Sequence, residues 1–379
     1  MGRRLPSAPP ILSGYTYVRP LGTGGFADVF LFEQNMPRRS VAVKVLLRDI
    51  VDDHVLRSFN AEADVMARLS AHPSILTVYN ASISADGRPY LVMEFCPGSY
   101  SSRERTIALP IATALTVAVR IAGALETAHR SKVLHRDIKP SNILTTTFNA
   151  PVLGDFGIAA SIAGGGPHDL FAMSLPWSAP EVVDERTTGT VATEVWSFGA
   201  TVYSLLADRA PFELPAGESG SRAQLKQRIN RAKYTPIGRA DVPASLESTL
   251  ARMMSRDPAA RQSSLLECAH ELQRVERELG LPLTALEVAD EAWASAGIPV
   301  DFDNQQARGP IISDVVIPAL RAGRFNRRQL SPIRDGTLTD LGDGRKPGLN
   351  RLALVLLLAA AVVVGGGVTV GTFILTGVI

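Results

Sequence analysis

The sequence predicts an α+β protein of two lobes, a β-rich lobe over 14–95 and a helical lobe over 96–279, followed by one membrane-spanning helix near the C-terminus. Three observations predict it. Residues 14–95 read as strands interrupted by one helix. Apolar residues recur at helical spacing from Pro110 to Leu279. The last 28 residues, LALVLLLAAAVVVGGGVTVGTFILTGVI, carry no charge.

Taken in order, Met1–Ser13 is a tail with arginines and prolines but no apolar run, so it is not a signal peptide, and Pro6 breaks the myristoylation pattern. The run Val41-Ala42-Val43-Lys44-Val45-Leu46 reads as a strand, and Val55 to Ser70 as an amphipathic helix. Ile75 to Phe95 returns to strand composition, with Asp86-Gly87 as a hairpin turn. Pro110 opens a long helix on which Leu115, Ala118, Ala122 and Leu125 share a face. Further helices fall near 195–207, 221–232, 244–255 and 264–279, with Gly280 as a C-cap.

Residues 280–351 read as a juxtamembrane linker, partly disordered. Its stretch 301–351 holds 9 basic and 6 acidic residues, and Arg321, Arg324, Arg327 and Arg328 suit anionic lipid headgroups. A bilayer core of roughly 30 Å needs about 20 apolar helical residues, so 352–374 is predicted to span it, leaving 375–379 as a short extracytoplasmic end. Arg345, Lys346 and Arg351 flank the run on its N-terminal side, which places the preceding body in the cytoplasm. Gly367 and Gly371 form a GxxxG, here read as ordinary membrane-helix glycine.

The terminal run also explains a positive mean hydropathy of +0.11. With 39 basic and 37 acidic residues the chain is not built as a nucleic-acid binder. Two cysteines, Cys96 and Cys268, make no disulfide framework and indicate a reducing compartment. The six histidines lack metal-ligand spacing with those cysteines.

The chemistry sits in a few short motifs. Leu21-Gly22-Thr23-Gly24-Gly25-Phe26-Ala27-Asp28-Val29 is a glycine-rich hairpin, whose backbone N–H groups can approach phosphate oxygens because no Cβ intervenes. Lys44 follows on a strand from which an ammonium reaches phosphates. His135-Arg136-Asp137-Ile138-Lys139-Pro140-Ser141-Asn142 gathers three functional groups in one loop. Asp137 suits accepting a hydroxyl proton, Lys139 neutralising a phosphoryl group, and Asn142 offering a hard oxygen to magnesium. Asp155-Phe156-Gly157 adds a charged magnesium ligand.

In this order and spacing, and with Ala179-Pro180-Glu181, the sequence resembles a eukaryotic-type protein kinase and is similar to the bacterial transmembrane Ser/Thr kinases over 14–279. The resemblance implies the bilobal protein-kinase fold and a membrane-anchored, signalling Ser/Thr protein kinase that uses ATP with Mg2+, or Mn2+ as an alternative. It implies a nucleotide loop from Leu21 through Gly22, Thr23, Gly24, Gly25, Phe26, Ala27 and Asp28 to Val29. Ala42, Lys44, Met93 as gatekeeper, and Glu94 to Cys96 as hinge would complete the ATP site. Lys44 would pair with Glu62, Asp137 would be the base beside Lys139, and Asn142 and Asp155 would hold the metal. Met66, Val78, His135 and Phe156 would stack as an apolar spine, and Glu181 would pair with Arg261. The activation segment would include Phe156, Gly157, Ser161, Ser174 and Glu181, with Ser174 bonding the base and Lys139.

Three departures stand out. Ala27 replaces the loop's third glycine. Glu194 stands where the family has an Asp that braces the catalytic loop, and its extra methylene is expected to loosen the brace. Residues 158–173 contain one hydroxyl, Ser161, so activation-loop phosphorylation is not expected to be the main switch. Glu194 and that segment fit the alternative reading, a catalytically weak pseudokinase scaffold. Thr337 and Thr339, flanked by Asp335 and Asp340, are candidate autophosphorylation sites. In similar kinases such sites recruit phosphothreonine-binding forkhead-associated domains. Protein substrates, the bilayer and a homodimer complete the partners the resemblance implies.

Overall fold

Five antiparallel strands build the first lobe: β1 (Tyr15–Thr23), β2 (Ala27–Asn35), β3 (Arg38–Leu46), β4 (Val78–Ile83) and β5 (Pro89–Glu94), in the order β1-β2-β3-β5-β4. The structure is a computed structural model that describes residues 4–101, 108–156, 174–213 and 220–289, apart from the side chains of residues 53, 54, 58, 61 and 62. The predicted span 352–374, Thr337, Thr339, Gly157 and Ser161 lie outside the described residues.

Strand alternation sorts β3 into two faces. Val41, Val43 and Val45 join Phe30, Phe32, Tyr90 and Val92 in one fully buried layer. Each such side chain stabilises by about 1.5–3 kcal/mol on burial. Ala42, Lys44 and Leu46 occupy the other face. There Leu46, Ala27 and Leu91 pack against Val55, Phe59 and Ala63 of helix α1 (Asp53–Leu69). That helix starts where Asp52 caps it by accepting the Val55 N–H at 2.7 Å.

The second lobe is helical. It comprises α2 (Ile111–Arg130), α3 (Pro180–Val183), α4 (Val191–Ala207), α5 (Arg222–Arg231), α6 (Ala244–Met253) and α7 (Leu265–Glu278). A small sheet of β6 (Gly98–Ser99), β7 (Ile143–Thr145) and β8 (Pro151–Leu153) carries the loops that face the first lobe. Helix starts follow sequence chemistry. Thr190 with Thr193 and Ser221 with Gln224 form reciprocal capping boxes for α4 and α5. Gly280 adopts φ +66° just beyond α7, as a C-cap requires. Among the described residues α2 is the one helix long and apolar enough to cross a membrane, and it is mostly buried in this lobe. It is apolar on nearly all sides because it is the central core helix.

Two flanks read from sequence as tail and linker are seated on the lobes instead. Leu12 is buried in the sheet layer with Phe30 and Val43. Residues 281–289 lie against α2 and α7. Thr284 is buried and donates its N–H to Glu276 Oε2 at 2.9 Å, and Ala289 donates to Thr127 Oγ1 at 3.1 Å. Gly123 makes the seat, since a Cβ there would sit 2.3 Å from the Glu287 carbonyl oxygen. That carbonyl also lies 2.9 Å from His72 Nε2, between α1 and β4.

Candidate active site

The glycine-rich hairpin joins β1 to β2, and β2 pairs with β3 in a register that sets Val29 opposite Lys44. The hairpin closes through Gly24 N–H to Ala27 O at 2.8 Å. Beneath it Ala42, Met93, Leu76 and Val152 form a buried apolar cluster, with Leu21, Val29, Cys96 and Leu144 packed against it. These apolar side chains have the chemistry to line a site for a flat aromatic ring. Leu144 and Val152 were not singled out from sequence. Leu144 is two residues past Asn142, and that spacing was the available signal. Burial pushes the Cys96 thiol up to about 12, with Glu94 adding to the effect, so it stays protonated.

Lys44 Nζ donates to Asp155 Oδ1 at 2.7 Å across the cleft. The Lys44 ammonium holds the Asp155 carboxyl below the ordinary carboxylate range, against the opposing pull of its surroundings. The Asp155 side chain is 51% exposed, so it remains open to a further ligand. Glu62 lies on α1, and its side chain is outside the described set.

The loop around Asp137 is tightly bonded. Lys139 Nζ donates to Asp137 Oδ2 at 2.7 Å and to Ser174 Oγ at 3.0 Å, and the Ser174 hydroxyl donates to Asp137 Oδ1. Asn142 Nδ2 donates to the Asp137 carbonyl at 2.8 Å and to its Oδ2 at 3.0 Å. His135 is buried, with Nε2 2.9 Å from the Gly154 carbonyl and Nδ1 accepting the Asp137 N–H at 3.2 Å. A neutral ring protonated on Nε2 satisfies both contacts. Arg136 (φ +65°) and Asp155 (φ +56°) sit in the left-handed region, a strain that surrounding contacts must hold in place.

Glu194 supplies much of that hold for Arg136. Its Oε1 accepts the Arg136 N–H at 2.6 Å, and its Oε2 lies 2.6 Å from His129 Nε2. With the extra methylene the brace is still made, and it is two-ended, one carboxylate oxygen on the catalytic-loop backbone and the other on His129. His129 was missed from sequence, where it looks like one more residue near the end of α2.

The remaining sequence-predicted groups fall as follows. The His135 and Phe156 rings are 4.6 Å apart, in a core that includes Met66 and touches Val78. Arg261 and Glu181 form a buried two-bond pair at 2.6 and 3.0 Å, and Arg261 also donates to the carbonyls of Ser255 and Ala192. Asp28 is the exception among the hairpin residues. Its carboxylate is fully buried and engaged by Arg4 and the Ser7 N–H, so it is not presented to a nucleotide.

Two oxygen donors suit a divalent cation here. Asp155 keeps an exposed carboxylate, and Asn142 commits its nitrogen to Asp137 while its Oδ1 has only a long 3.5 Å contact with Ser141 Oγ. Among the described residues no three His, Cys, Asp or Glu side chains converge on a metal site. This donor pair matches magnesium that takes its other ligands from phosphate and water.

The family model described as the protein kinase domain matches residues 15–273. The chain is similar to the serine/threonine-protein kinase PknK of Mycobacterium tuberculosis, 36% identical over 304 residues, covering 79% of this chain and 26% of the relative. It is 32% identical over 273 residues to PknJ of the same organism, covering 70% of this chain and 46% of the relative. With PrkC of Bacillus subtilis the identity is 27% over 300 residues, covering 78% and 45%. The chain thus spans about a quarter to a half of the length of these curated relatives.

Proposed function

Since the chain belongs to the protein kinase domain family, we propose that it is a Ser/Thr protein kinase that moves the γ-phosphoryl group of ATP to protein hydroxyls. One observation carries the reading: Lys139, Asn142 and Ser174 converge on Asp137, while Lys44 and Asp155 meet across the cleft. Lys139 and Ser174 fix Asp137 so that its carboxylate orients the acceptor hydroxyl and takes its proton. The new O–P bond forms as the bond between the β,γ-bridging oxygen and the γ-phosphorus breaks, with ADP leaving. Lys139 offsets the charge on the transferring group, and Lys44 holds the α- and β-phosphates. The adenine ring occupies the slot lined by Leu21, Val29, Ala42, Met93 and Leu144, with the Glu94–Cys96 backbone as its edge. Asp155 and Asn142 would hold magnesium, which when bound neutralises phosphate charge.

The same reading places the chain in the cell membrane, with 352–374 as a single span, the catalytic body in the cytoplasm and 375–379 outside. The uncharged run and its flanking Arg345, Lys346 and Arg351 support this. Thr337 and Thr339 are then juxtamembrane phosphosites for forkhead-associated domain partners, in a signalling role that also allows a homodimer. Deleting 352–379 should move the protein from the membrane fraction to the soluble fraction.

Labelled γ-phosphate transfer tests the activity. With ATP, Mg2+ and a Ser/Thr-containing acceptor protein, acid hydrolysis should return labelled phosphoserine and phosphothreonine. ATP binding with no label transferred would support the pseudokinase scaffold instead.

A further inference from the structure

The family match begins at residue 15, yet the residues before it reach the nucleotide loop. Asp28 shows why they matter. It stands on β2 at the foot of the glycine-rich hairpin, and its side chain is 0% exposed. A buried carboxylate is tolerated only when paired and hydrogen-bonded. Two groups of the N-terminal segment supply that pairing. The Ser7 N–H donates to Oδ2 at 2.7 Å, and the Arg4 guanidinium donates to Oδ1. The same guanidinium nitrogen lies 3.3 Å from the Gly24 carbonyl at the hairpin tip.

The segment has its own anchors. Arg88, buried and paired with Asp86 at 2.7 Å, donates to Ser7 Oγ at 3.2 Å and to the Ala8 carbonyl at 2.9 Å. Further on, Leu12 enters the sheet core, and its carbonyl accepts the Tyr15 N–H at 3.2 Å. A strap fixed at Arg88 and Leu12 therefore ends on the phosphate hairpin.

We propose that Arg4 and Asp28 are positioning residues, and that the strap Arg4–Leu12 clamps the glycine-rich hairpin in its nucleotide-receiving shape. The inference rests on the ATP-binding part of the proposed function. The clamp acts in two ways. It restrains a glycine-rich turn that otherwise samples many conformations. It also neutralises a carboxylate beside the place where phosphate charge would arrive, which would otherwise repel it. The downward net shift of Asp28 agrees, since the Ser7 and Arg4 contacts outweigh the burial that pushes it up.

The test uses the full chain as wild type, Arg4→Ala, Arg4→Lys and Arg4→Ala/Asp28→Asn. Amide hydrogen exchange over 22–28 reads the clamp without needing activity. ATP·Mg titration and steady-state kinetics read its effect. In Arg4→Ala, loop exchange should rise about tenfold, because local opening is no longer opposed. ATP Kd and KM should rise about fivefold with kcat retained, a loss of binding rather than chemistry. Arg4→Lys should recover part of the loss, and the double variant should recover part of the Kd but none of the exchange protection, since the unpaired charge is gone while the tether is still cut. Unchanged exchange in Arg4→Ala would overturn the clamp, whatever the turnover. A wild type that binds no ATP, with exchange still responding to Arg4, would overturn the proposed function and leave the clamp standing.

Discussion

Asp137 and its neighbours are held from within the helical lobe, by Glu194 of α4, by Ser174 and by Asn142 of the loop itself, over a large apolar core. The glycine-rich hairpin is held differently. Its β1–β2 register ends at Thr23 and Asp28, and beyond that the tip is held by the Gly24–Ala27 bond, by the Leu47 N–H donating to the Phe26 carbonyl, and by Arg4. The difference teaches where each half's precision comes from. The group proposed to accept a proton is fixed by many short bonds, including bonds that keep Arg136 at a positive φ. The hairpin proposed to admit a nucleotide is held by fewer contacts, and part of its hold comes from Arg4, which precedes the matched domain.

Breaking the brace should have the larger effect on the fold. Glu194→Ala leaves the Arg136 N–H and buried His129 without their partner. A loss of about 2–4 kcal/mol in a urea unfolding series follows from unsatisfied buried groups. Glu194→Gln should recover most of it, and Glu194→Asp should keep one contact and lose the other.

A change at the hairpin tip should leave stability nearly alone and act on binding. In Gly24→Ala the added Cβ would stand 3.2 Å from the Ala27 carbonyl oxygen, which must shift. ATP KM should rise about threefold, with stability changed by less than about 1 kcal/mol. An unchanged KM would show that the tip does not set nucleotide affinity.

The smallest effect concerns acid. The Arg88 hydrogen bond lowers the Asp86 carboxyl to about 2, against about 3.9 in an unfolded chain. The folded state therefore favours the ionised form. Its contribution is complete above about pH 4 and disappears as pH falls through about 2. Asp86→Asn should flatten the acid limb of the stability curve, read by fluorescence-monitored unfolding between pH 2 and 5.

The loop around Asp137 was legible in the sequence because the chemistry proposed for it demands fixed residue types at fixed spacing. Asp137, Lys139, Asn142 and Asp155 are found by that alone, and the helices by their period. Asp28 was not legible in the same way. The hairpin motif marked it as a nucleotide residue, and nothing local signals a partner 24 residues earlier at Arg4. The Glu194 brace needed the position of His129, 65 residues away. Residues 281–289 read as linker because their seat depends on Gly123, where the missing Cβ admits a backbone carbonyl. In each case the deciding contact is distant in sequence and one member is of ordinary type.

The division of labour between the two halves is tested most directly by Asp137→Asn, with ATP·Mg affinity and phosphoryl transfer measured on the same preparation. ATP Kd should stay within about twofold of wild type while turnover falls by about 10²–10⁴, as removal of a general base does. Turnover equal to wild type, or a loss of ATP binding that matches the loss of turnover, would contradict the assignment of chemistry to the loop and nucleotide binding to the hairpin and Lys44.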